Sequence, residues 1–155
     1  MSTIADIRTV WDASIFDHVT MRGYTTSVYP YDIPNLESAK NSTQFYFAAE
    51  INFMTFVVSR IRRDGLTGQI RYEFPVRVRY YRENEPSGDN FKSVTDRLEA
   101  MDLLVRSELG NTWGSTVDYY EPNERGIGAP DLVFLENRPT WVSEVTYTGI
   151  QTVSA

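Results

Sequence analysis

Residues 69–81, which read QIRYEFPVRVRYY, decide the fold of this chain. Two sets of side chains alternate along the stretch: Tyr72, Phe74, Val76, Val78 and Tyr80 against Arg71, Glu73, Pro75, Arg77 and Arg79. A period of two is typical of a β-strand that buries one side and leaves the other in water. The stretch therefore predicts a long strand with one core face and one wet, mostly basic face.

An antiparallel partner for this strand lies just before it in the chain. Residues 45–54 alternate in the same way, and the pattern slips at residues 55–58, which predicts a bulge or a bend. Residues 62–68, RRDGLTG, carry two glycines and predict a hairpin turn. We expect one face of this hairpin to bear five arginines: Arg60, Arg62, Arg71, Arg77 and Arg79.

Pro75 interrupts the hydrogen-bonding capacity of the 69–81 strand. Proline has no backbone N–H, so it is normally confined to edge strands or bulges. We therefore expect this strand at an edge of the sheet or at a bulge. An edge strand offers unpaired backbone groups to another chain, which favours assembly with other subunits.

Two amphipathic helices flank the hairpin. Apolar residues recur every three or four positions over residues 3–21 and again over residues 91–109. Further strands are predicted at residues 24–29, 116–120, 132–135 and 141–150. The element order predicts one α+β domain over residues 1–155, with a mainly antiparallel sheet and both helices packed on one face.

Composition limits the function of the chain. It has 155 residues, a net charge of −6, no cysteine, and only two lysines, Lys40 and Lys92, among its fifteen basic residues. The negative charge argues against a general nucleic-acid binder, and the lack of cysteine excludes disulfides and thiolate sites. Arginine and tyrosine are enriched where proteins touch partners. The first residues, MSTIADIRTVWD, do not resemble a secretory signal. From the absence of cysteine we expect folding in a reducing cytoplasm.

Few residues suggest catalysis. Asp131 and Glu144 resemble the paired acids of a metal-dependent nuclease, but Thr146 stands where such sites carry a lysine. His18 is the only histidine, so a zinc site or a histidine-based triad has no second imidazole. We expect no enzyme, no cofactor and no metal site, and keep the nuclease as a minor alternative.

The order of elements resembles that of the tail-terminator proteins of long-tailed bacteriophages. The features that carry the resemblance are residues 24–34 ahead of the sheet, the arginine-alternating strand, and the closing strand WVSEVTYTG at residues 141–149. The resemblance implies a structural virion protein that forms a ring, expected to be a hexamer, on the head-proximal end of the tail tube. Such a ring stops tube polymerisation and joins the tail to the head or neck.

The partners implied by the resemblance are other copies of the chain, the tail tube protein and a neck or head-completion protein. DNA would pass through the ring without specific binding, no membrane is involved, and assembly would occur in the host cytoplasm. We expect contacts through the arginine face and through the loops at residues 30–43 and 121–130. The expected contact residues are Arg62, Arg71, Arg77, Arg79, Tyr31, Asn35, Glu124 and Arg125. Two alternatives remain open, another head–tail connector and a binding module unrelated to viruses.

Overall fold

The structure is a computed structural model that describes residues 2–17, 27–29, 51–65, 68–85, 92, 94–100, 102–103, 116–121, 127, 129–135 and 137–154. Within these residues the chain forms one seven-stranded sheet with helices on one face. The fold is α+β, as the order of elements predicts.

The sheet is antiparallel except at one edge. Its strands are β1 (Ser27–Tyr29), β2 (Asn52–Val58), β3 (Ile61–Asp64), β4 (Gln69–Glu83), β5 (Tyr119–Glu121), β6 (Asp131–Leu135) and β7 (Arg138–Ser154). The order across the sheet is β1-β2-β4-β7-β5, with β3 also beside β4 and β6 also beside β7. Only the pairing of β1 with β2 is parallel among the described strands. Two long strands, β4 and β7, therefore form the centre of the fold.

The first helix, α1 (Ile4–Trp11), continues into a π-helical turn (Asp12–Phe16). Thr3 starts it with a capping box: its hydroxyl accepts from the Asp6 N–H, and the Asp6 carboxylate accepts from the Thr3 N–H. The helical spacing predicted from the sequence is confirmed, because Ile7, Trp11 and Ile15 are fully buried. The remainder of the predicted helix, after residue 17, lies outside the described residues.

A second helical segment, α2, includes residues 92, 94–100, 102 and 103. Val94 and Leu98 join the core formed by α1 and by the even-numbered residues of β4. Two polar contacts also tie α2 to the sheet. Arg97 donates to the Tyr80 hydroxyl at 2.7 Å, and the Tyr147 hydroxyl donates to Asp102 at 2.7 Å. Both helices thus lie on one face of the sheet, as predicted.

The prediction that Pro75 marks an edge strand is wrong. β4 pairs with β7 along its whole length and with β2 and β3 on its other side. Pro75 faces the short gap between β2 and β3, where its carbonyl accepts from the Ser59 N–H at 3.0 Å. Since proline cannot donate in return, the ladder breaks there. A central strand tolerates this proline because its neighbour is interrupted at the same position.

The predicted slip in the first hairpin strand is a break without a bulge. Val58 pairs with Val76 and Ile61 with Glu73, so both strands advance by three residues across the break. No residue is inserted, and the register on either side is the same. The predicted turn is confirmed: Gly65 donates to the Gln69 carbonyl at 2.7 Å, and Gly68 has a φ of 74°.

Candidate interaction surface

The face of the sheet opposite the helices is the candidate interaction surface, and we call it the outer face. Partners across antiparallel strands share a face. Arg71, Arg77 and Arg79 of β4 therefore lie on the same face as their β7 partners Thr152, Thr146 and Glu144. Along β4 the even-numbered residues from Tyr72 to Tyr80 are buried, and the odd-numbered ones are half-buried up to Arg79. The predicted alternation of core and wet faces is confirmed.

The expectation that five arginines share one face is wrong. Arg62 pairs with Tyr72, a core-facing residue, and the Arg60 guanidinium carbon lies 5.2 Å from the centre of the Tyr72 ring. Arg60 and Arg62 therefore lie on the helix side of the hairpin. Arg63 takes their place on the outer face, where it pairs with Arg71. The sequence pattern missed Arg63 because the register depends on the length of the turn.

Glutamates neutralise most of the arginines on the outer face. Glu73 accepts ion pairs from Arg63 at 3.0 Å and from Arg71 at 3.3 Å. Arg71 also pairs with Glu121 at 2.9 Å, and Arg79 pairs with Glu144 at 2.7 Å. Such half-exposed pairs contribute about 0–1 kcal/mol each. The outer face is consequently a ladder of alternating charges and not the mostly basic surface that the sequence predicts.

Nearby acids also affect the pKa values of two arginines. The pKa of Arg62 is raised by its hydrogen bond to Asp64 and by the charge of that carboxylate. Burial lowers the pKa of Arg71, but attraction to Tyr119, Glu121 and Glu73 outweighs burial and leaves it raised. Both side chains therefore stay charged around neutral pH.

A shallow cleft of about 300 Å³ opens on the outer face beside β6. Its walls include Arg79, Tyr81, Asp131, Val133, Val142 and Glu144. The sequence-predicted acid pair, Asp131 and Glu144, thus meets in one place, since Asp131 pairs with Val142 two residues from Glu144. Glu144, however, is held by Arg79. Within the described part of the chain, no three acids or histidines gather where they could hold a metal ion.

Apolar residues pack under this cleft and form a second small core. Ile51, Phe53, Tyr81 and Leu135 are at most 3% exposed, and the rings of Phe53 and Tyr81 stack 4.7 Å apart. Val133 and Val142 pack against them. The cleft therefore has a rigid apolar floor, with Asp131 exposed at its rim.

Tyr119 on β5 is 49% exposed, and two further edges of the sheet expose large apolar side chains that sequence reasoning missed. We call them the β3 edge (Ile61–Asp64) and the β6 edge (Asp131–Leu135). Ile61 is 40% exposed, and on the β6 edge Leu132 and Phe134 are 47% and 59% exposed. No described strand pairs with the outer side of either edge. The edges lie at diagonally opposite corners, because β3 pairs with one end of β4 and β6 with the far end of β7.

Several predicted contact residues lie outside the described residues: Tyr31, Asn35, Glu124 and Arg125, together with His18 and the whole 30–43 loop. The 121–130 loop is described only at residues 121, 127, 129 and 130. Its first residue, Glu121, ends β5 and pairs with Arg71, so it belongs to the sheet. Among the predicted contact residues that the structure describes, Arg71, Arg77 and Arg79 share the outer face, and Arg62 lies on the other face.

Comparisons with known proteins leave the chemistry of these surfaces as the main guide to function. No protein-family model matches the chain, and no curated protein matches it either. In the described portion of the chain, no helix is both long and apolar enough to cross a membrane.

Proposed function

We propose that this chain is a structural virion protein that caps the head-proximal end of a phage tail tube as a ring. The observation that carries the proposal is the pair of open edges at opposite corners of one sheet, with one exposed large apolar residue on the β3 edge and two on the β6 edge. Monomeric proteins normally protect sheet edges with charge, proline or cover. Arg62, Arg63 and Asp64 place charge on the β3 edge, but Ile61, Leu132 and Phe134 expose apolar surface that favours contact with further subunits.

Different edges at opposite corners favour a head-to-tail assembly. A contact between two unlike surfaces repeats from subunit to subunit, and it forms a ring when the rotation closes. A closed ring of this kind leaves neither of these two edges unpaired. This property suits a protein that must stop the growth of a tube. Six subunits remain the expectation from the resemblance to tail terminators.

The charge distribution supports passage of DNA without capture. The chain carries a net charge of −6, and the outer-face arginines Arg63, Arg71 and Arg79 are already paired with glutamates. Affinity for nucleic acid requires basic groups that are available to phosphates. A ring of such subunits would therefore repel the DNA backbone or leave it unbound.

The proposal is tested on the growth of tail tubes. Purified chain is added to polymerising phage tail tube protein, and tube length is measured over time. We expect elongation to stop at substoichiometric amounts of the chain, because one ring caps one tube. Tubes that lengthen at the same rate with and without the chain would refute the proposal. Binding to a head or neck protein instead of the tube would indicate another head–tail connector.

The nuclease alternative has one observation in its favour, the meeting of Asp131 and Glu144 in the cleft. The ion pair between Arg79 and Glu144 counts against it, because a Mg²⁺ site needs free carboxylates. The test is incubation of linear DNA with the chain and Mg²⁺. Cleavage that disappears in the Asp131→Asn variant would establish a nuclease and overturn the structural role.

A further inference from the structure

The two open edges carry opposite charges on the same face of the sheet. On the β3 edge, Arg63 lies on the outer face, and its side chain is 61% exposed. On the β6 edge, Asp131 lies on the outer face at the rim of the apolar cleft. Asp131 has no charged partner among the described side chains. One edge thus presents an exposed cation and the other an exposed anion beside a small cavity.

The directions of the strands allow the edges to join. β3 runs antiparallel to β4, β4 antiparallel to β7, and β7 antiparallel to β6, so β3 and β6 run in opposite directions. A second copy shifted across the sheet would place its β6 edge beside the first copy's β3 edge in antiparallel orientation. Unpaired backbone groups on both strands could then form a ladder. The outer faces of the two sheets would be continuous, with Arg63 and Asp131 on the same side.

We propose that the β3 edge of one copy docks on the β6 edge of the next, with Arg63 entering the cleft to pair with Asp131. This inference rests on the proposed ring and identifies the surfaces that close it. The aliphatic part of Arg63 would cover the apolar wall formed by Val133 and Val142, since arginine buries its stem while its charged group finds a partner. The exposed Ile61 would lie beside the same wall.

The contact leaves no buried charge unpaired. Arg63 would give up its present ion pair with Glu73, but Glu73 keeps Arg71 as a partner at 3.3 Å. Asp131 would gain a cation. Because removal of one member of an interface pair leaves the other uncompensated, either charge reversal should weaken assembly.

The test exchanges the two charges in the full-length chain. The variants are Arg63→Glu, Asp131→Arg, an equimolar mixture of these two single variants, and the double variant. Lys92→Glu and Asp96→Arg are matched controls, because both residues are exposed on α2 and lie on neither edge. Self-association is measured by sedimentation velocity over a concentration series, and folding by thermal unfolding.

We expect each single reversal to weaken association about tenfold or more. The mixture should restore association when the two variants alternate. Each contact between neighbours then joins a cation to an anion, either in the original arrangement or with the two charges exchanged. The double variant should also associate, and the controls should behave as the wild type. Unchanged association of the single variants, or a mixture that stays dissociated, would overturn this pairing.

A second measurement separates this inference from the proposed function. Tube elongation is assayed with the same variants. If the wild type stops elongation and the single variants stop it equally well, the ring stands and the Arg63–Asp131 contact is overturned. If the wild type neither associates nor affects elongation, both the ring and the contact are overturned.

Discussion

Charge reversal at Arg79 tests whether the ion pairs within the outer face stabilise the fold. Arg79 lies directly opposite Glu144 in the register of β4 and β7, and the two side chains meet at 2.7 Å with 29% and 45% of their surfaces exposed. The Arg79→Glu variant would place two carboxylates face to face at this position. The sequence pattern alone predicts a contact residue whose loss leaves stability nearly unchanged. The structure predicts a loss of stability.

The size of that loss follows from the geometry. A cross-strand opposite-charge pair contributes about 0.2–1 kcal/mol, and like charges directly opposite destabilise the sheet. Together the lost attraction and the new repulsion should cost about 1–2 kcal/mol, discounted for the partial exposure of both groups. For a domain of this size each 1 kcal/mol corresponds to roughly 2–4 °C. We therefore expect the melting temperature to fall by about 2–8 °C.

The assay is thermal and urea unfolding of four proteins: wild type, Arg79→Glu, Glu144→Arg and the double exchange. Each single variant should be destabilised, and the double exchange should recover most of the loss because the pair is rebuilt with its charges swapped. Lys92→Glu controls for the change in net charge. A single variant as stable as the wild type, or a double exchange as unstable as the sum of both singles, would refute the assignment of this ion pair to fold stability.

Three further substitutions test the core and the turn. Trp11→Ala removes a fully buried ring whose centre lies 5.5 Å from that of Tyr147. It should lower the free energy of unfolding in urea by about 3–5 kcal/mol. A loss below about 1 kcal/mol would contradict the packing of α1 on the sheet. Tyr147→Phe removes the hydrogen bond to Asp102 and should cost about 1 kcal/mol, an effect that should vanish in an Asp102→Ala background. Gly68→Ala forces a side chain onto a φ of 74° and should cost about 1–2 kcal/mol; an unchanged midpoint would show that the turn adopts another conformation.

Local pattern was sufficient for the main elements of the fold. The alternation of Tyr72 to Tyr80 depends only on which side of one strand is apolar, and the core contains each of those apolar side chains. The helical spacing of Ile7, Trp11 and Ile15 is equally local. For the described residues of α1 and β4, periodicity along one element is sufficient, and the structure confirms the prediction.

Pairing between elements could not be predicted in the same way. Pro75 by itself predicts an edge strand, because the sequence does not show that β2 and β3 break opposite it. Alternation alone puts Arg60 and Arg62 on the wrong face, because the register of the hairpin depends on the turn between Asp64 and Gln69. Glu121, which pairs with Arg71, is 50 residues away in sequence, and Glu144, which pairs with Arg79, is 65 residues away. Long-range register therefore decides which charges are exposed and which are paired.

The most direct test of the structural role is electron microscopy of tail tubes assembled with the purified chain. We expect a ring of this protein at one end of each tube, with neighbouring subunits joined through unlike sheet edges. Tubes with bare ends, in the presence of a chain that remains a monomer in solution, would contradict the central claim that this protein acts by docking on its own copies and on a tube.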